Sequence, residues 1–188
     1  GPVHALAVLP NGELVAGGSF LANGDGVTVN RIARWNGNTW SSLGSGMSDG
    51  VHALAVMPNG DLIAGGSFSN AGGVPASAIA KWNGSSWSAL GAGVDINGIQ
   101  NVSSLAVVPL DGGGADLIVA GFFTSAGGAP ANHIARWDGS TWSALGAGLN
   151  TSVGCIALDE NGDVLVGGYF TSSGATPLNH IARWNGQA

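Results

Sequence analysis

Short apolar runs alternate with polar, glycine-rich turns along the chain, and no segment shows the 3.6-residue period of a helix. The runs fall into four similar units. Each opens on an apolar stretch, VHALAVLP at 3–10, VHALAVMP at 51–58, VSSLAVVP at 102–109 and VGCIALDE at 153–160. A second stretch closes on small residues: ELVAGGSF, DLIAGGSF, DLIVAGFF and DVLVGGYF. After a Gly/Ala/Ser-rich loop comes IARW or IAKW, and a tight turn then leads to TWSSLG, SWSALG or TWSALG. This predicts four short strands per unit. The turns PNGE, PNGD and ENGD carry the Asn-Gly pair favoured in type I′ hairpins, so an antiparallel meander with I′ turns is expected.

Trp35, Trp82, Trp137 and Trp184 recur at spacings of 47, 55 and 47 residues, the range of propeller repeats. A four-stranded sheet cannot bury both faces alone, and radial stacking of such sheets solves this. The expected fold is therefore all-β, a β-propeller of four-stranded antiparallel blades with four repeats per chain, at 3–50, 51–101, 102–152 and 153–188. They form one propeller or half-propeller domain over 1–188. The last blade lacks its outer strand, since the fourth repeat reaches Ala188 without a second tryptophan.

All seven tryptophans (Trp35, Trp40, Trp82, Trp87, Trp137, Trp142 and Trp184) lie in the phrase Trp-x-Gly-x-x-Trp or its short last copy. They are read as the packing between blades, because each buried ring removes roughly 150–250 Å² from water. The pairs Gly17-Gly18, Gly65-Gly66 and Gly167-Gly168 end second strands, with Ala120-Gly121 standing in once. Glycine there signals a bulge or close approach by a bulky group, and indole rings are expected over those backbones.

Composition narrows the function classes. The net charge is −6, with five basic residues and no Lys/Arg cluster, which argues against nucleic acid or an anionic membrane as partner. No apolar run approaches the roughly 20 residues of a spanning helix, so membrane insertion is not expected, and no signal peptide is read. The single cysteine, Cys155, excludes a disulfide framework. It takes the slot of Ala5, Ala53 and Ser104 and is read as a small buried thiol.

The double glycine Gly65-Gly66 after an apolar strand, followed by Trp82 and Trp87 in the next two, resembles the kelch repeat of galactose-oxidase-type β-propellers. The wording IARWDGSTWSALGAG is also similar to repeats of secreted and cell-surface proteins, including fungal Rax2-type and bacterial surface proteins. The resemblance implies a propeller, an extracellular or cell-surface location, and no particular activity, because such propellers host enzymes, scaffolds and adhesion modules alike. Kelch rings commonly hold six or seven blades, and this chain holds four. Closure by a second copy into an eight-bladed ring, a homodimer, is the expectation, with a four-bladed monomer and a piece of a longer array as alternatives.

Arg34, Lys81, Arg136 and Arg183 share one position before the third-strand tryptophan, and Glu13, Asp61, Asp116 and Asp163 share another at the start of the second strand. Charge pairs, within a blade or across neighbouring blades, that fix how the blades register are expected. His4 and His52 begin first strands and are candidate lining of the central channel, while His133 and His180 begin third strands. The third and fourth copies place Ser103 and Gly154 where the first pair stands, and no acidic ligand follows at short spacing, so no metal or cofactor is expected. No nucleophile–base pair or carboxylate pair is legible, and no catalytic residue is assigned.

The first hypothesis is a non-catalytic binding or scaffold module of a secreted or cell-surface protein. A protein or glycan ligand would meet the loops at 21–30, 69–77, 124–132 and 171–179 and those at 46–50, 93–101 and 148–152. The alternatives are a carbohydrate-active or other enzyme using the same face, and an excised or engineered repeat piece without activity of its own.

Overall fold

The computed structural model describes residues 1–95, 98 and 101–186. Of the loop 93–101, residues 96, 97, 99 and 100 lie outside the described residues, as do 187 and 188 at the end of the fourth repeat. Four antiparallel sheets follow one another. Blade 1 holds Val3–Val8, Leu14–Gly18, Ile32–Trp35 and Trp40–Ser42 in that spatial order. Blade 2 holds Val51–Val56, Leu62–Gly66, Ile79–Trp82 and Trp87–Ala89. Blade 3 is built of Asn101–Pro109, Ala115–Phe122, Ile134–Trp137 and Trp142–Ala144. Blade 4 has three strands, Val153–Leu158, Val164–Gly168 and Ile181–Trp184. Inner strands of successive blades pack side by side, and among the described residues no such packing joins blade 4 back to blade 1. The result is an open arc of a β-propeller. No described helix is long and apolar enough to cross a membrane.

The core lies between sheets rather than within them. One cluster joins Val15, Ile32 and Leu43 of blade 1 to Val51, Leu62, Phe68, Trp82 and Trp87 of blade 2. A second joins Ile63, Ile79 and Leu90 to Val102, Leu117 and Phe123. A third joins Ile118, Ile134 and Leu145 to Val153, Val164 and Phe170. Removing one blade would therefore strip a face from each neighbour.

The glycine pairs work differently from the expected indole contact. A Cβ on Gly17 would lie 2.5 Å from the Val51 side chain of the next blade, and Gly65 is overlaid in the same way by Val102. The second glycine faces its own inner strand instead, with the Gly50 carbonyl against Gly66 and the Asn101 carbonyl against Gly121. That strand bulges once per blade, between Val3 and Ala5, Val51 and Ala53, Val102 and Ser104, and Val153 and Cys155. A valine of the next blade and a bulged backbone fill the space, so the rings sit elsewhere.

They sit toward the outer edge. Trp35 opposes Trp40, Trp82 opposes Trp87 and Trp137 opposes Trp142 as cross-strand partners, with centroids 5.6, 5.4 and 5.2 Å apart. The Trp87 indole N–H donates to the Leu43 carbonyl of blade 1 at 3.0 Å, and that of Trp142 to the Leu90 carbonyl of blade 2 at 2.8 Å. Each ring thus bridges a seam, tying its own blade to the segment that leaves the previous one. Trp184 is half-buried and packs against the third cluster.

The hairpin turns also differ from expectation. Gly12, Gly60 and Gly162 have φ of 84°, 88° and 83°, but the preceding asparagines are not in positive φ. Gly12 N–H donates to the Leu9 carbonyl and Leu9 N–H to the Glu13 carbonyl, a type I turn closed by a glycine bulge. Proline suits this turn in the first two copies, and Glu160 takes its place in the fourth, where Gly162 N–H donates to the Asp159 carbonyl in the same way. Pro10 and Pro58 hold the first central position, where the ring fixes φ near −65°. Two-residue turns with both central residues in positive φ occur in the loop after the second strand, at Gly72-Gly73 (59°, 85°) and Gly127-Gly128 (62°, 84°). There they close two-residue hairpins, Asn70–Ala71 with Val74–Pro75 and Ser125–Ala126 with Ala129–Pro130, that strand patterning did not anticipate.

Candidate functional site

The inner-strand bulge re-aims one side chain per blade, as bulges do. In blades 1 and 2 that residue is histidine. His4 Nε2 lies 3.0 Å from the Ser19 hydroxyl, and His52 Nε2 lies 3.0 Å from that of Ser67. The two rings lie tilted at 49° to each other with centroids 5.3 Å apart. The Ser67 hydroxyl also accepts from the Asn101 amide at 3.0 Å, carrying the row into blade 3, where Asn101 opposes Phe122. In blade 4 the residue equivalent to Phe122 is Tyr169. Phe122 is 40% exposed and Tyr169 76%. One end of the sheets thus carries a row that runs from imidazole and hydroxyl groups to two open aromatic rings.

Burial holds the His52 imidazole below its ordinary pKa, and the neighbouring His4 pushes the same way, while the Asp49 carboxylate pulls back. The exposed Asp49 stands 3.7 Å from Arg31, whose guanidinium also donates to the Met47 carbonyl at 3.0 Å. His133 is buried at the base of the third strand of blade 3, with Phe122 stacked 5.7 Å away, and burial lowers its pKa. His180, the matching residue of blade 4, is exposed. Among the described residues no group of three or more His, Cys, Asp or Glu is placed to hold a metal ion.

The loops of this face are tied across blades. The Ser48 hydroxyl accepts from the Ser69 and Asn70 N–H groups, the Asp95 carbonyl from Thr124 N–H and the Ser125 hydroxyl, and the Asn150 amide oxygen from Thr171 and Ser172 N–H. The charge pairs expected from the repeated positions lie elsewhere, on the sheets themselves. Arg34 pairs with Glu13 at 3.3 Å, Lys81 with Asp61 at 3.2 Å, Arg136 with Asp116 at 2.6 Å and Arg183 with Asp163 at 2.5 Å, each within its own blade. The carboxylates are mostly covered and the cations partly exposed. These pairs belong to the scaffold, and none reaches the row.

Two readings need correction here. Cys155 is exposed rather than buried, since among the described residues no sheet covers the face that carries it. The row itself was read as two histidines only. Ser19, Ser67, Asn101, Phe122 and Tyr169 were missed, yet the copies held a signal. Where the inner slot is histidine the residue after the glycine pair is serine, and where it is Ser103 or Gly154 that residue is Phe122 or Tyr169.

A family described as "Domain of unknown function (DUF5122) beta-propeller" matches residues 9–38 and 58–85. No curated protein matches the chain by sequence. Solved structures resemble it in shape, a WD40 β-propeller among them. A chain of the mitotic checkpoint complex superposes with TM-score 0.57 at 18% identity over 97% of this chain and 48% of that one. The WD40 β-propeller domain of Doa1 gives 0.56 at 14% identity over 96% and 49%. The extracellular domain of BT4673 from B. thetaiotaomicron gives 0.55 at 13% identity over 95% and 22%. The chain spans half or less of these three. With its antiparallel four-stranded sheets and the family match, the fold is a β-propeller.

Proposed function

We propose that the chain is a non-catalytic binding or scaffold module of a secreted or cell-surface protein, built on kelch-type blades, whose ligand is a protein or a glycan. The observation that carries this reading is the row from His4 and His52 to the exposed rings of Phe122 and Tyr169, at an end of the sheets where hydrogen bonds tie the loops across blades. Open aromatic rings beside hydroxyl and imidazole groups suit stacking on a sugar ring or an apolar side chain with polar contacts alongside. The extracellular neighbour from B. thetaiotaomicron agrees with a surface location.

The experiment is a glycan array probed with the parent chain and with Tyr169→Ala and His52→Ala. Selective binding that both variants weaken at least tenfold supports the reading. Binding untouched by both contradicts it. Cleavage of the bound glycans selects the alternative of a carbohydrate-active enzyme on this face, where the Asp49 carboxylate acts on His52. No binding on the array or to any protein favours an excised or engineered repeat piece without activity of its own.

We also infer that a second copy closes the arc. Val3, the equivalent of the seam valines Val51 and Val102, is 53% exposed on blade 1, and Gly167 on blade 4 has no following valine over it. Each copy therefore offers both halves of a seam, and two such contacts related by a two-fold axis make an eight-bladed ring. Light scattering on the 18.5 kDa chain should give twice that mass, and Val3→Asp should return it to one. A parent that stays at one chain throughout contradicts closure and leaves the four-bladed monomer.

A further inference from the structure

Where blades 1, 2 and 3 meet, the row forms a polar cluster whose free donors depend on one proton. The Ser67 hydroxyl oxygen accepts from the Asn101 amide at 3.0 Å and lies 3.0 Å from His52 Nε2. The Ser19 hydroxyl stands in the same relation to His4 Nε2, again at 3.0 Å. Gly50 leaves the room for this, since a Cβ there would come 3.2 Å from His52 Cε1 and 3.5 Å from the Ser19 hydroxyl. Two imidazoles, two hydroxyls and an amide therefore meet beside a residue with no side chain.

A serine hydroxyl has one hydrogen to give and can accept two bonds. In the neutral His52 tautomer protonated at Nδ1, Nε2 takes the Ser67 hydrogen, and that hydroxyl has no donor left for a ligand. A charged imidazole donates from both nitrogens. Its Nε2–H fills the second acceptor place on Ser67, beside the Asn101 N–H, and the serine hydrogen is released. In the other neutral tautomer the same proton turns Nδ1 from acceptor to donor. His52 Nδ1 has no described partner in the chain. One proton thus leaves the cluster positively charged, with donors unfilled.

Little inside the chain balances that charge. His4, with its ring centroid 5.3 Å away, opposes it. Asp49 is the carboxylate that acts on His52, but it is largely exposed and stands 3.7 Å from Arg31. Gly1 packs on the Ser19 carbonyl, which brings the α-amino group, another cation, to this end. Blade 3 contributes Asn101 and Ser103, both neutral, the Ser103 hydroxyl being turned to the Ala120 and Val153 carbonyls. Glu13, Asp61 and Asp116 lie at the far end of the strands with Arg34, Lys81 and Arg136. Beside the cluster, Phe122 is the cross-strand partner of Asn101, and its ring is 40% exposed and stacked on His133. An open apolar ring therefore adjoins a set of donors that lacks an anion.

We propose that the cluster is a proton-gated site for the carboxylate of a uronic-acid glycan, held by His52, Ser67 and Asn101 while a sugar ring stacks on Phe122. This rests on the row as the binding surface and adds the charge of the ligand and its dependence on pH. Burial and His4 hold the free His52 ring below its ordinary pKa. A bound carboxylate favours the imidazolium and raises that value, so affinity rises as pH falls from the liganded value to the free one.

The probe is trigalacturonate, set against its methyl ester, which keeps the rings and removes the charge. Calorimetric titration of the intact chain should show the acid binding at least tenfold tighter at pH 5.5 than at pH 7.5, with proton uptake, and the ester nearly unchanged. The acid should raise the titration midpoint of the His52 Cε1–H resonance, and the ester should not. His52→Asn should abolish the pH slope, whereas Phe122→Ala should weaken acid and ester alike and leave the slope intact. Should His52→Asn melt early, the acid–ester comparison and the His52 resonance on the parent chain carry the test. Equal binding of acid and ester with a flat pH profile overturns the inference and leaves the row as a site for neutral glycans. An unmoved His52 resonance, or no binding of either sugar at millimolar concentration, overturns it too, and the glycan array then decides the row by itself. Binding of triglutamate in place of trigalacturonate, with the same slope, assigns the donors to an acidic protein segment and overturns the glycan.

Discussion

Val102 and Val3 hold the same place in their blades, yet one is fully buried and the other is 53% exposed. Ile79 and Ile181 make the same contrast at the third strand, buried in blade 2 and 67% exposed in blade 4. Neither difference arises from the residue or from the strand it occupies. Both arise from whether another sheet stands opposite. The lesson is that a blade here is half of two cores. The repeated phrase encodes two complementary surfaces, and each is worth little until the other covers it.

That contrast can be broken most forcefully at the rings. Trp87 is buried in the first seam and bonded to the Leu43 carbonyl, whereas Trp40, its counterpart in blade 1, is only half-buried beside an open cleft lined by Val3 and Phe20. Trp87→Ala should cost about 3–5 kcal/mol, the range of large-to-small core substitutions. Trp40→Ala should cost clearly less. Chemical denaturation of both variants checks this, and equal losses would mean that the seam bond and burial contribute nothing beyond the ring's own strand pair.

A second comparison sets buried against open histidines. His52 and His133 both titrate below the ordinary histidine range in the folded chain because burial disfavours the cation. The unfolded chain therefore binds more protons in the window between the folded and unfolded values. Their stabilising contribution is complete above about pH 6.5 and is lost as pH falls through the depressed folded values. Melting temperature should drop between pH 7.5 and 5, and His133→Gln should flatten that slope more than the same change at the exposed His180. An identical slope in both variants would contradict the role given to burial.

The smallest effect is expected at the ion pairs. Arg136 stands 2.6 Å from the covered Asp116, but its side chain is 40% exposed, so water screens much of the attraction. Arg136→Ala should lower stability by about 1 kcal/mol, and Arg183→Ala, with a 55% exposed side chain, by less. A loss of several kcal/mol at either site would show that the carboxylate left behind is effectively buried.

Much of this architecture was legible because it repeats. The four main strands of a blade, the opposed tryptophans and the shared positions of the charged residues follow from spacing. Partners across a seam were harder to read, since Val102 meets Gly65 from another repeat and the glycine announces only that something approaches. The turn type was legible and misread. Asn-Gly suggests a type I′ hairpin, but Pro10 and Pro58 already forbid positive φ at the first central position. The functional row was the least legible part. Ser19 and Ser67 are ordinary small residues after a glycine pair, and only their pairing with His4 and His52 against Ser103 with Phe122 sets them apart. Cys155 is exposed because, among the described residues, no sheet covers the face that carries it, which no local pattern reports.

The central claim is that stability resides in the seams between like sheets. The most direct test is a paired denaturation measurement on Val102→Ala and Val3→Ala, at a concentration low enough to keep the chain monomeric. The account predicts a loss of about 2 kcal/mol or more at Val102, whose side chain fills the space over Gly65, and less than about 0.5 kcal/mol at Val3. Equal losses at the two positions would contradict it.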